Sequence, residues 1–351
     1  MTLLTQSPSR TGSRRRGLVV YVVLAYAGMW AAMAPLLADG YQRADAREEV
    51  GGLEQLCIGA AMFAPALAAL FVVRFVERGR GYGRGRGDVG GAGCRGGGGV
   101  RDALALHWPR PWARAVRACL LPVGVLAGLT AAVLALGTLA GSYPFAGFGA
   151  LHAGAVGSWV VQGVFGMALS LPLFFGEELG WQGFLFPRLV RLGGTGGSAG
   201  GGTREGAEVG TGALVRAYLL TGTAFALWHL PPLLMGGQYP GRPWYVAVPA
   251  FVVSCVLVLP VFTWLRLRSG SVVPAVLAHT FASSMSVSMV REFADPAAEL
   301  DPLTMGLGGW PGWIVLGAFV AFLAFTGRLR PSRYGADRRS TDRGERMTAN
   351  R

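Results

Sequence analysis

The chain has no lysine, few charged side chains of either sign, four cysteines and four histidines in 351 residues. Without lysine, the formal charge of +13 rests on arginine alone; with the excess of glycine, alanine and arginine, this reads as the coding bias of a GC-rich genome. Charged residues make up 15% of the chain against 52% apolar, which rules out counting water-soluble domains by length. Cys57, Cys94, Cys119 and Cys255 show no CxxC spacing and lie in or beside apolar runs or in an arginine-rich loop, so neither a disulfide framework nor a zinc ribbon is implied. No HExxH fixes a metal on one helix. No serine, cysteine or threonine is placed with a histidine as a nucleophile pair would be.

Long apolar runs are what the chain does have. A helix needs about 20 apolar residues to cross about 30 Å of hydrocarbon, and eight spans are predicted near residues 18–38, 55–76, 119–140, 161–187, 213–235, 245–265, 271–290 and 310–327. The expected fold is all-α, a polytopic membrane helical bundle of about eight transmembrane helices. Arginine tests that topology independently of hydropathy. With a cytoplasmic N-terminus, all but Arg43, Arg47, Arg242 and Arg291 of the 32 arginines fall on the inner side, the positive-inside pattern. Both termini are then cytoplasmic, and the protein is expected as a multi-pass protein of the plasma membrane. Residues 18–37 exceed the 7–15-residue apolar core of a signal peptide and are kept as the first helix.

The predicted organisation is a cytoplasmic basic tail over 1–17, two helices over 18–76, a cytoplasmic Gly/Arg loop with an interfacial segment over 77–118, a core over 119–327 and a basic tail over 328–351. Arg78 to Gly99 and Gly193 to Gly212 hold too few apolar side chains to offset the entropy of ordering. The first reads as a flexible cytoplasmic loop and not as a nucleic-acid tail. Trp108 and Trp112, set among arginines, suit a membrane interface, as does His107.

Carboxylates and imidazoles inside the spans carry the functional signal. An ionisable residue at membrane depth costs at least about 2.5–3.5 kcal/mol, so it is by default a functional-site hypothesis. Glu177 and Glu178 interrupt the apolar run Phe165 to Pro187, His229 closes the segment Phe225 to His229, and His279 opens the segment His279 to Ser283. Counted from Arg188, Arg216 and Arg268, the residues Glu177, His229 and His279 lie at one depth, about 16–20 Å above the inner boundary at 1.5 Å per residue. Glu178 with Gln182, Phe225 with His229, and His279 with Ser283 are each four residues apart and share a helix face. Trp181, Trp228 and Phe184 to Phe186 read as packing residues, and Pro172, Pro231, Pro232 and Pro274 as helix benders. A shared catalytic or ion-handling site is expected. The rival class is a proton-coupled transporter using the same residues as a relay, although the two halves show no self-similarity of the kind inverted repeats leave.

EELGWQGFLFPRL, FALWHLPPLL and SVVPAVLAHTFASS together resemble the three motifs of the CPBP (CAAX prenyl protease and bacteriocin-processing, or Abi) family of intramembrane peptidases, whose pattern runs EExxxR, FxxxH and HxxxN. The resemblance covers roughly residues 119–327 and implies hydrolysis of a peptide bond in a peptide or membrane-protein substrate within the bilayer. It implies Glu177 as the base that activates water, His229 helping to hold that water, His279 and Ser283 where oxyanion-stabilising groups sit, and Glu178 as a supporting acid. Gln182 stands where the pattern has arginine and Ser283 where it has asparagine, so a non-catalytic immunity or interaction protein of the same fold is the alternative. Replacing Gln182 with arginine is accordingly expected to preserve or raise activity. Family members work either without a cofactor or with one divalent metal such as zinc; Glu177, His229 and His279 would be the ligands if one is used. The coding bias points to a bacterial host, where a prenylated substrate is not expected.

Overall fold

The computed structural model describes residues 9–43, 51–77, 100–109, 111–148, 153–194 and 209–330. The Arg78 to Gly99 loop, Cys94, most of the Gly193 to Gly212 loop and most of both tails lie outside the described residues. The rest is almost wholly helical; among the described residues there is no strand, only one antiparallel bridge between Phe145 and Ala294.

Helices α1 (Ser9–Ala38), α2 (Gly52–Phe71), the short α3 (Val100–Ala103), α4 (Trp112–Leu139) and α5 (Ala153–Glu178) come first. They are followed by α6 (Phe186–Gly194), α7 (Thr211–Trp228), the short α8 (Leu230–Leu234), α9 (Trp244–Ser269), α10 (Val273–Thr280), α11 (Ser286–Glu292) and α12 (Trp310–Phe325). Three π-helical stretches join neighbours without breaking the rod: Val72–Val76 extends α2, Leu179–Leu185 joins α5 to α6, and Phe281–Met285 joins α10 to α11. Six of the resulting helices are long and apolar enough to cross a membrane: α1, α2 with its π turn, α4, α5 through α6, α9, and α10 through α11. Helices α7 and α12 stand at the two remaining predicted places with 18 and 16 residues, about 27 and 24 Å of rise.

Several boundaries differ from the sequence reading. The loop expected over Gly193 to Gly212 is narrower, since α6 runs to Gly194 and α7 begins at Thr211. The span expected over 213–235 stops at Trp228 and restarts as α8. Pro231 lies at the first positions of α8 and Pro274 at the first positions of α10. They initiate helices rather than bend them, because a helix's first turn has no use for the missing N–H.

Lipid offers no hydrophobic gain for helix association, so close packing through small residues holds such bundles together. Gly176 in α5 and Gly180 in the π stretch after it form a GxxxG pair turned to α2: a Cβ at Gly176 would stand 2.7 Å from the Met62 carbonyl oxygen, and one at Gly180 would stand 2.4 Å from Pro65 Cβ. Gly222 seats α7 against the backbone of α9, where an added Cβ would stand 2.8 Å from Val256 Cα. The outer half of α5 exposes Val161, Val164, Phe165 and Leu169, whereas every residue from Gly176 to Phe186 is buried.

Arg188 fixes the far end of that buried stretch. Its guanidinium donates to both carboxylate oxygens of Glu77 (3.0 and 2.7 Å), donates to the Phe184 carbonyl (3.2 Å) and lies 3.6 Å above the Phe184 ring centre. Arg188→Ala is expected to cost about 3 kcal/mol, the low end for breaking a buried pair, because Glu77 keeps 20% of its side chain accessible. Thermal unfolding in detergent measures this; a loss under about 1 kcal/mol would mean that the pair behaves as a screened surface one.

Candidate active site within the helix bundle

All three motif segments sit where a helix is irregular. Glu177 and Glu178 end α5 immediately before the π stretch Leu179–Leu185, His279 is the last residue but one of α10 before the π stretch Phe281–Met285, and His229 occupies the break between α7 and α8. Single π turns are rare in helices and concentrate at functional sites, since the extra residue re-aims the side chains beside it. The apolar runs carry no signal for them.

The irregular points converge. His279 Nδ1 lies 2.8 Å from Glu178 Oε1, an interhelical contact between the only acid pair in the spans and a histidine 101 residues away. The Phe225 ring touches both imidazoles, with its centre 4.7 Å from that of His229 and 5.5 Å from that of His279. Phe174 and Phe262 complete the aromatic box around His279, at 4.5 and 5.3 Å. His229 packs on Trp228 and Phe251, and its Nδ1 meets the Phe225 carbonyl at 2.9 Å. If Nδ1 is the protonated nitrogen, as a carbonyl partner requires, Nε2 keeps a lone pair.

Glu177, Glu178, Gln182 and His279 are all buried, with exposures of 2, 0, 0 and 7%. Glu177 Oε2, Glu178 Oε2, Trp181 Nε1 and Gln182 Nε2 have no hydrogen-bond partner among the described residues. Residues 157–285 match the family model described as Type II CAAX prenyl endopeptidase Rce1-like. Over that stretch the chain is similar to the Rce1-like endopeptidases of the CPBP family. No curated protein and no solved structure matches the chain.

The Rce1-like stretch runs from α5 to the π turn Phe281–Met285 and contains every motif residue; it is shorter than the 119–327 expected from the motifs. Helices α4 and α12, outside it, pack against α9 and α10 or α4 and α9 and complete the bundle. Two supporting residues stand differently from the sequence expectation. Gln182 does not bond Glu178; its Oε1 is 2.9 Å from Thr263 Oγ1 on α9. Because Glu178 has His279 as its partner, the ground for expecting Gln182→Arg to help is removed, and a guanidinium there would have to displace Thr263 from a fully buried position. Ser283 falls inside the π turn and is exposed, while its neighbour Ser284 bonds back to the Thr280 carbonyl. A reading by i+4 spacing could not anticipate this, since a π turn changes the rotation per residue.

A metal was the open question of the sequence. A catalytic zinc needs three protein ligands converging on an open position, and among the described residues no three His, Cys, Asp or Glu side chains do so. Each histidine of the site bonds an oxygen through Nδ1 and keeps Nε2 open, as a metal-bound imidazole would, so what is missing is a convergent third ligand. Glu177, His229 and His279 as arranged do not fit a metal, and no step below is routed through one.

Proposed function

We propose that the protein is an intramembrane endopeptidase that hydrolyses a peptide bond by water attack, with Glu177 as general base. The single observation that carries this reading is the convergence of the Glu178–His279 pair and His229 around Phe225, with the buried Glu177 next to Glu178 in the chain. Glu177 takes one proton from water as the oxygen attacks the scissile carbonyl. His229, with Nδ1–H given to the Phe225 carbonyl, offers Nε2 to the water's other proton. His279 donates from Nε2 to the developing oxyanion. When the Glu178–His279 pair carries its shared proton, Nε2–H is a donor whether that proton resides on Glu178 or on Nδ1. A preorganised donor in a dry site is the largest kind of catalytic contribution. The Glu177 proton then passes to the leaving amine, and the atoms balance as one water added across one amide.

Substrate reaches the site from the bilayer, since the chain is a multi-pass membrane protein. We place it in the plasma membrane with both termini cytoplasmic, on the strength of the arginine distribution. The tested substrate class is a membrane-inserted peptide or membrane-protein segment. The experiment incubates the purified protein with a library of membrane peptides, with and without chelator, and maps products by mass spectrometry. Cleavage insensitive to chelator supports the mechanism; chelator-abolished cleavage would replace it with a metallopeptidase. No cleavage of any substrate would favour the non-catalytic relative that Gln182 and the exposed Ser283 keep in view.

A further inference from the structure

Unpartnered buried polar atoms crowd one stretch of the chain. Glu177 Oε2, Glu178 Oε2, Trp181 Nε1 and Gln182 Nε2 lie within six consecutive residues, and a fifth, the Tyr21 hydroxyl, reaches them from α1. Protein interiors leave few such atoms without a partner, and where several face one another an enclosed water is the usual one. Tyr21 is fully buried. Its ring stacks on Phe184 at 4.6 Å between centroids and meets Trp181 edge-on at 5.9 Å. Its hydroxyl lies 2.6 Å from where a Cβ on Gly180 would be, so the glycine makes room for the phenol head beside the acid pair. Gly180 stands two residues after Glu178 in the same buried stretch. Tyr26, on the same helix, is satisfied by the Ala224 carbonyl at 2.7 Å.

We propose that Tyr21 and Glu178 Oε2 share one enclosed water, which makes Tyr21 a positioning residue for Glu178 and, through it, for the His279 imidazole. The water accepts the phenol proton and donates to the carboxyl oxygen; its remaining lone pair suits the Gln182 amide. Helix α1 lies outside the Rce1-like stretch, so this contact brings a helix beyond the matched core into the site. The role in catalysis rests on the peptidase reading above.

The test compares wild type with Tyr21→Phe, which keeps both ring contacts, and with Tyr26→Phe as a control that removes a hydroxyl from the same helix. In Tyr21→Phe, kcat is expected to fall about 10–100-fold, the scale of a small misplacement of a reacting group, with KM within about two-fold of wild type. Tyr26→Phe should leave kcat within about two-fold. The carboxyl infrared band of Glu178, isolated by subtracting the Glu178→Gln spectrum, should shift in Tyr21→Phe and stay in place in Tyr26→Phe. An unchanged kcat in Tyr21→Phe, or equal losses in the two variants, overturns the positioning role; an unmoved Glu178 band overturns the shared water. The band is read without substrate. A wild type that cleaves nothing therefore refutes the peptidase reading, while the water is still judged by the band.

Discussion

Glu177→Ala is expected to lower peptide cleavage by about 10²–10⁴-fold, the contribution of a positioned general base, and at the same time to raise the melting temperature. The two signs come from one cause. Glu177 is 2% exposed and its Oε2 has no partner among the described residues, so folding takes that oxygen out of bulk water with no protein hydrogen bond in its place. That arrangement costs stability and is maintained at sites where activity needs it. Alanine removes the cost and the base together. Parallel assays of cleavage and of thermal unfolding in the same detergent check both signs. Cleavage that survives the substitution would end the role of Glu177 as base. Loss of cleavage together with a clear loss of stability would instead make Glu177 a structural group, since a residue that merely holds the fold should lower both. A carrier would lose flux and a scaffold neither readout, which separates the rival classes by the same variant.

Helix content and site composition were legible in the sequence because they depend on properties that act locally. Apolar runs placed eight helices, and the level of Glu177, His229 and His279 relative to Arg188, Arg216 and Arg268 placed three motifs at one depth. Who touches whom at that depth was not legible. Depth follows from rise along one helix, but partner choice follows from how neighbouring helices are rotated about their axes, and the π turns Leu179–Leu185 and Phe281–Met285 alter that rotation at the motifs themselves. An i+4 reading therefore gave Glu178 to Gln182, whereas the bundle gives Glu178 to His279 and Gln182 to Thr263. Thr263 carried no signal at all. Gly180 did carry one: a glycine inside a helix next to an acid pair marks close approach of a neighbour, and the neighbours are Pro65 and the Tyr21 hydroxyl.

The Glu178–His279 contact leads to the second large effect. If the two act as one unit, with Glu178 fixing the imidazole and His279 donating to the oxyanion, then His279→Ala should cost about 10²–10³-fold in kcat, as loss of an oxyanion donor does. Glu178→Ala should come close to the same loss, because nothing then meets Nδ1 to fix the imidazole and to hold its other proton on Nε2. The double variant should be scarcely worse than either single one, since the second substitution removes support for a group already gone; catalytic residues that work as a unit are grossly non-additive. Measuring kcat for the four proteins of this cycle decides it. Losses that multiply would mean that Glu178 and His279 contribute separately despite the 2.8 Å contact. A Glu178→Ala variant with wild-type kcat would reduce that contact to packing and leave His279 oriented by Phe174, Phe225 and Phe262 alone.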